Sequence, residues 1–283
     1  MNAPRLDRLS ALLEGLAPTV LLDAGGADEA EVPACPATGS LRVYLLTGGV
    51  MRVRSPDTLM TLQAPALLAM QASSPHRMEA VAPVEQGRLI RARILLEGPV
   101  APLFLEEFRQ PRVLSLTEDE PALRLAVDLI GRELDAPRCG QPALLNRAGD
   151  ILFIGLLRHL VAHPGPGGTG LFNGLADPRI ARALVAMHQR PQADWSLESL
   201  ASESGMSRTA FARTFREVMR RTPGRYLSAI RLALAQRAVD AGKGLKEAAR
   251  VAGYGNVSAL SRVRAGSVEP DPVPGRLSAF QAV

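Results

Sequence analysis

The residues whose types and spacing could do chemistry sit in the C-terminal third of the chain. Thr209, Ala212, Arg213 and Arg216 stand at i, i+3, i+4 and i+7, so on a helix they share one face. Small side chains and guanidinium groups on one solvated stripe suit base edges and phosphates in a major groove. A plainer reading stands beside it: two short helices joined at a glycine are common, and a basic face is usually only solvated. Three other side chains are candidates for chemistry. His76, three residues before Glu79, could touch an effector or a metal, or be a turn residue with its ring in solvent. Cys35 and Cys139 could form a redox switch, or be two incidental reduced thiols.

The elements that must position the stripe are legible around it. Leu197, Leu200 and Ala201 give a first short helix its apolar face. Ser204-Gly205 breaks it, because glycine accepts the left-handed backbone of a tight turn. Ser207 can cap the next helix. Phe211 and Phe215, four apart, anchor that helix to the first. A long helix over 223–241 follows, with Leu227, Ile230, Leu234 and Ala238 on one face. The arrangement then recurs: a short helix over 245–251, the turn Gly253-Tyr254-Gly255, and a segment carrying Val257, Ser258, Ser261 and Arg262. Two such units bridged by a long helix are a more specific signal than one.

Upstream the periodicities change. Residues 5–16 put leucines on one helical face. LRVYLLTGGVMRVRS reads as a hairpin around Thr47-Gly48-Gly49, and further short strands over about 20–97 suggest a small β-barrel or sandwich. After Gly98-Pro99 the spacing predicts helices over 100–108, 121–134 and 144–162. They either form a dimer interface or cover an open end of the barrel. HPGPGGTGLFNG, residues 163–174, reads as a linker in which Gly and Pro prevent any regular element. Asp177-Pro178 starts a helix with a cap and a proline at its first position.

Composition narrows the classes. The chain of 283 residues is 47% hydrophobic, enough for a sizeable core. Residues 1–176 carry 16 Lys and Arg against 19 Asp and Glu, whereas residues 177–283 carry 17 against 9. One half is therefore prepared to meet a polyanion and the other is not. Two cysteines make no disulfide framework. The first residues lack an apolar run and carry Asp7 and Glu14, and the run Ile151 to Leu157 is too short to cross a bilayer. The expectation is a cytoplasmic bacterial protein without membrane partners.

At this point the sequence resembles the AraC/XylS family of bacterial transcription regulators. The carrying residues are SLESLASESGMSRTAFARTFR, TPGRYLSAIRLALAQ and LKEAARVAGYGNVSALSR, over about 177–263. DRLSALLEGL, the LRVYLLTGGVMRV segment, SSPHRME and LNRAGDILFIGLLRHL are similar to the cupin-type sensor domain of one subgroup. The resemblance implies an α+β fold: a cupin-like sensor barrel over 1–97, a helical extension over 98–164, a linker over 165–176, an all-α DNA-binding domain over 177–264, and a tail without order over 265–283. It also implies that Thr209, Ala212 and Arg213 face bases, with Arg208 beside them. Arg213 can donate two bonds to guanine O6 and N7. Arg216, Arg220 and Arg221 suit phosphates. In the second unit Val257, Ser258, Ser261 and Arg262 are the matching positions. There the sequence departs from the pattern: Arg264 stands where an aromatic anchor belongs, and Gly266, Pro270, Pro272 and Pro274 follow. The expectation is a truncated or frayed second unit with weaker DNA binding.

Other chemistry is poorly supported. His76 is the only histidine of the barrel segment, so three clustered ligands for a catalytic metal cannot be assembled there. No phosphate loop is present, because HPGPGGTG lacks the Lys-Ser/Thr ending. The reading is a regulator, not an enzyme, needing no cofactor. It binds double-stranded DNA and answers to a small-molecule or redox effector, with RNA polymerase and a second copy as further partners. The alternative is an interaction protein that modulates related regulators without specific DNA binding.

Overall fold

A computed structural model describes residues 7–23, 30–34, 39–81, 89–116, 121–165 and 167–266. The chain begins with α1 (Arg8–Leu16), capped by the Asp7 carboxylate accepting the Ser10 amide. Eight strands follow: β1 (Pro18–Asp23), β2 (Ala30–Val32), β3 (Ser40–Leu46), β4 (Val50–Ser55), β5 (Thr58–Gln63), β6 (Ala66–Gln71), β7 (His76–Ala80) and β8 (Leu89–Leu96). Next come α2 (Ala101–Glu106), β9 (Arg112–Ser115), α3 (Pro121–Asp135) and α4 (Gln141–Ala162). The remainder is helical: α5 (Leu171–Ala176), α6 (Pro178–Gln189), α7 (Leu197–Glu203), α8 (Arg208–Met219), α9 (Pro223–Asp240), α10 (Leu245–Val251) and α11 (Val257–Gly266).

The strands make two antiparallel sheets, in orders β1-β8-β3-β6-β9 and β2-β7-β4-β5. Strand alternation explains the layering. Tyr44, Leu46, Leu68, Met70 and Leu89 of the larger sheet meet Met51, Val53, Leu62 and Met78 of the smaller one. The opposite face of the larger sheet, with Leu41, Val43, Leu45, Leu67, Ile90, Ala92 and Ile94, packs on helices. Strand β3 is therefore buried on both faces, while β4 alternates buried with exposed.

Three expectations about elements are corrected. The Thr47-Gly48-Gly49 turn does not close a hairpin, because β3 pairs with β6 and β8 while β4 pairs with β5 and β7. The turn carries the chain from one sheet to the other, and the hairpin is β4–β5, with Ser55 opposite Thr58. The helical extension contains a strand, β9, which adds to the edge of the larger sheet beside β6. The linker is not free of regular structure, since α5 occupies 171–176. Its Leu171, Phe172 and Leu175 are buried, with Phe172 5.8 Å from Phe104 and 6.0 Å from Phe108 between ring centroids. Burial of these apolar side chains outweighs the glycines around them.

That packing makes the core continuous. One hydrophobic cluster runs from Leu12 and Leu16 of α1 through the sheet and α4 to Phe211, Phe215 and Tyr226. Arg8 Nη1 donates to the Leu175 carbonyl at 2.6 Å, tying α1 to α5. No helix among the described residues is long and apolar enough to cross a membrane. The expected tail, 265–283, lies outside the described residues beyond Gly266.

Candidate nucleic-acid interface

The first unit is built from α7 and α8. Ser196 accepts the Ser199 amide at 3.1 Å while the Ser199 hydroxyl accepts the Ser196 amide at 2.9 Å, closing a capping box. Gly205 then takes φ +63°, the left-handed conformation that the turn requires. Ser207 accepts the Ala210 amide at 3.3 Å and starts α8. Phe211 and Phe215 are fully buried with ring centroids 5.5 Å apart, and Phe215 meets Tyr226 of α9 edge-on at 5.8 Å. Two aromatic anchors one turn apart fix the rotation of α8 about its axis.

That rotation decides what faces outward. Arg208, Thr209, Arg213, Arg216 and Arg220 are exposed, and Ala212 is half-buried between them. Arg213 Nε lies 3.9 Å from Glu217, one turn on, and Arg208 pairs with Glu198 at 2.9 Å, both on exposed side chains that water screens. Among the described residues, Arg216 and Arg220 have no acidic partner. Beside α8 opens a cleft of about 1320 Å³ whose walls carry Arg213, Arg216, Arg220, Arg221 and Arg225. Arg220 holds φ +55°, a conformation that side chains rarely adopt, at the end of α8. Arg221 differs from its neighbours: it is half-buried and paired with Glu106 of α2.

The second unit is thinner. Asn256 accepts the Ala259 amide at 2.8 Å and caps α11, while α10 starts at Gly244 without a side-chain cap. Gly253 takes φ +78°, where a Cβ would stand 2.7 Å from Gln192 Cα. The core here is Ala235, Ala249, Ala252 and Leu260, against two phenylalanines in the first unit. Ser258, Ser261 and Arg262 are exposed and Val257 is half-buried. Helix α11 runs past Arg262 and ends at Gly266. Glycine can serve as the last residue of a helix, and the prolines that forbid continuation stand further on. The Arg264 side chain lies outside the described residues. The bridge between units is pinned by Arg231, which donates to the Pro191 and Ala193 carbonyls at 2.7 Å each.

The other candidates fall elsewhere. His76 is not a solvated turn residue. It opens β7, pairs with Val32 in register, and points inward like Met78 two residues on. Its Nδ1 faces the Ser74 carbonyl at 3.0 Å and so carries the proton, leaving Nε2 to accept from the buried Tyr44 hydroxyl at 2.6 Å. Burial, with Arg42 and Arg91 nearby, lowers the His76 pKa, so the neutral ring is favoured. Cys139 is an exposed thiol in the turn between α3 and α4; the neighbouring Arg138 donates instead to Glu133 at 3.1 Å. Cys35 lies outside the described residues. Sequence reading missed Tyr44, Glu106, Glu107 and the buried pair His188–Tyr226, because each acts through a partner far away in the chain.

The comparisons with known proteins agree with this geometry. The helix-turn-helix domain family matches residues 200–264, and the cupin family matches residues 7–162, more than half of the chain. The chain is a member of the AraC/XylS family with an N-terminal cupin domain. An uncharacterised helix-turn-helix regulator of Haemophilus influenzae is 31% identical over 122 residues, 43% of this chain and 41% of that protein. The regulator AlkR of Acinetobacter baylyi is 29% identical over 151 residues, 53% and 49% of the two chains. RclR of Escherichia coli, named as an activator specific to RCS, is 26% identical over 237 residues, 81% and 82% of the two. The match spans about half the length of the first two relatives and most of the third.

Proposed function

We propose that this chain is a sequence-specific DNA-binding transcription regulator whose affinity for its sites is set by a signal received in the cupin domain. The observation that carries the reading is the outward stripe Thr209, Arg213 and Arg216 on α8, locked in rotation by Phe211 and Phe215. Thr209, Ala212 and Arg213, flanked by Arg208, read base edges; Arg216 and Arg220 bind phosphates. Val257, Ser258, Ser261 and Arg262 read a second major groove, more weakly because α10 and α11 rest on alanines. The signal works by linkage: an effector that prefers one arrangement of cupin and helices shifts the population competent to bind DNA. His76, inside the cupin domain, is the proposed effector contact, and Cys35 and Cys139 are the proposed redox positions. A second copy, RNA polymerase and a cytoplasmic location belong to the same reading and rest on family membership.

The test is enrichment of bound sequences from random duplexes at two salt concentrations. A recovered motif supports base readout; salt-sensitive binding without a motif overturns it. The alternative is an interaction protein that modulates related regulators without specific DNA binding, and the same experiment separates the two.

A further inference from the structure

Helix α2 of the cupin region ends in two adjacent carboxylates, and each holds a different point of the helical region. Glu106 accepts from Arg221 Nη2, in the turn that joins α8 to α9. Glu107 accepts the Leu171 amide at 2.5 Å and Arg112 Nη2 at 3.0 Å. Leu171 opens α5, and the preceding amide, Gly170, donates to the Val218 carbonyl of α8 at 2.8 Å. Helix α2 therefore reaches the end of α8 by two routes, one ionic and direct, the other through the backbone at Gly170. The two carboxylates differ in their commitment. Glu107 is largely enclosed by its partners, with 10% of its side chain exposed, whereas Glu106 keeps 36% and Arg221 27%.

Arg221 also lines the arginine-walled cleft beside α8. Of the five arginines there, it alone is half-buried and turned toward an acid of another region; Arg213, Arg216, Arg220 and Arg225 are exposed. A carboxylate on a guanidinium fork uses the same donors, in the same planar geometry, as a phosphate would. The two anions cannot hold Arg221 together. We infer that Glu106 stands in for a DNA phosphate on Arg221, so that docking of α2 against the α8–α9 turn and full engagement of the backbone by the first helix-turn-helix exclude one another.

The consequence is a route from signal to DNA. A half-exposed ion pair is weak enough to be exchanged for a phosphate. Any change in the cupin domain that draws α2 from α8 adds one arginine to the DNA surface, and any change that seats α2 removes it. The Glu107–Leu171 bond keeps α2 near its target in both states, so Glu106 can return. This inference rests on the DNA-binding reading above.

The experiment uses the full chain and one labelled duplex, with the dissociation constant measured across salt concentrations. Glu106→Gln keeps size and removes the charge. It is expected to bind severalfold more tightly at low salt, with a log–log salt slope steeper by about 0.9, the value of one further phosphate contact. Arg221→Ala in the same background must abolish the gain. An unchanged slope in Glu106→Gln, or a gain that survives Arg221→Ala, overturns the inference. If the wild-type chain binds no duplex at any salt, the function proposed above fails instead. Amide exchange of the free protein then decides the inference. Faster exchange at 219–222 in Glu106→Gln supports the hold on the turn, and unchanged exchange overturns it.

Discussion

His188 of α6 and Tyr226 of α9 share a hydrogen bond of 2.7 Å between Nε2 and the phenol, with the rings stacked at 5.9 Å between centroids. Tyr226 is fully buried and also receives Phe215 edge-on, so this pair sits directly behind α8. The His188 Nδ1 is buried without a hydrogen-bond partner among the described residues.

Burial therefore holds the His188 pKa down to about 3. The unfolded ring titrates at about 6.5, so between those values the unfolded chain binds a proton that the folded chain refuses. The stabilisation is complete above about pH 6.5 and falls with acidification, by up to about 1.4 kcal/mol per pH unit, until about pH 3. Urea unfolding at pH 7 and pH 5 should show acid destabilising the wild type more than His188→Gln. A difference between the two proteins that does not change with pH contradicts this.

Phe215 has no exposed surface and joins α8 to Tyr226. Phe215→Ala should cost about 3–5 kcal/mol by creating a cavity, and should weaken DNA binding although the residue never faces solvent. Chemical denaturation measures the first effect and a duplex titration of the folded variant the second. Full affinity in a destabilised variant would separate the core from the orientation of α8.

Arg220 offers a sharper separation of stability from function. Its φ of +55° suits glycine better than arginine, so Arg220→Gly should stabilise the fold by about 0.5–1 kcal/mol. The same change should weaken binding to all duplexes alike and lower the salt slope by about 0.9. Thermal unfolding and salt-dependent binding must move in opposite directions; loss of both would make Arg220 a structural residue.

Gly253 tests the second unit. A Cβ at its φ of +78° would press on the backbone of Gln192. Gly253→Ala should loosen α10 and α11 from the α6–α7 connection, seen as faster amide exchange over 245–263. Exchange at α8 should remain as in wild type, since the first unit has its own aromatic anchors.

The sequence made the first unit legible because its signals are local. Ser207 begins α8, and Phe211 and Phe215 set its phase, all within nine residues. The α11 face was legible for the same reason, but its end was not, since Gly266 stops a helix as readily as it breaks one. Long-range pairing was hidden. Nothing around Thr47-Gly48-Gly49 tells a hairpin from a crossing between sheets, because that choice depends on β6 and β8 claiming both edges of β3. The acid that Arg221 holds in the free chain was hidden, because Glu106 stands 115 positions away. The placement of His76 was hidden because Tyr44, which fills its Nε2, lies on the opposite sheet.

The most direct test of base readout by α8 compares Arg213→Ala with Arg216→Ala on a recovered motif and on a scrambled duplex. Arg213→Ala should lose about 1–3 kcal/mol on the motif and little on the scrambled duplex, relaxing preference at one base pair. Arg216→Ala should weaken both duplexes equally. Equal losses on motif and scrambled DNA for Arg213→Ala would contradict the account, reducing α8 to a basic surface that holds DNA without reading it.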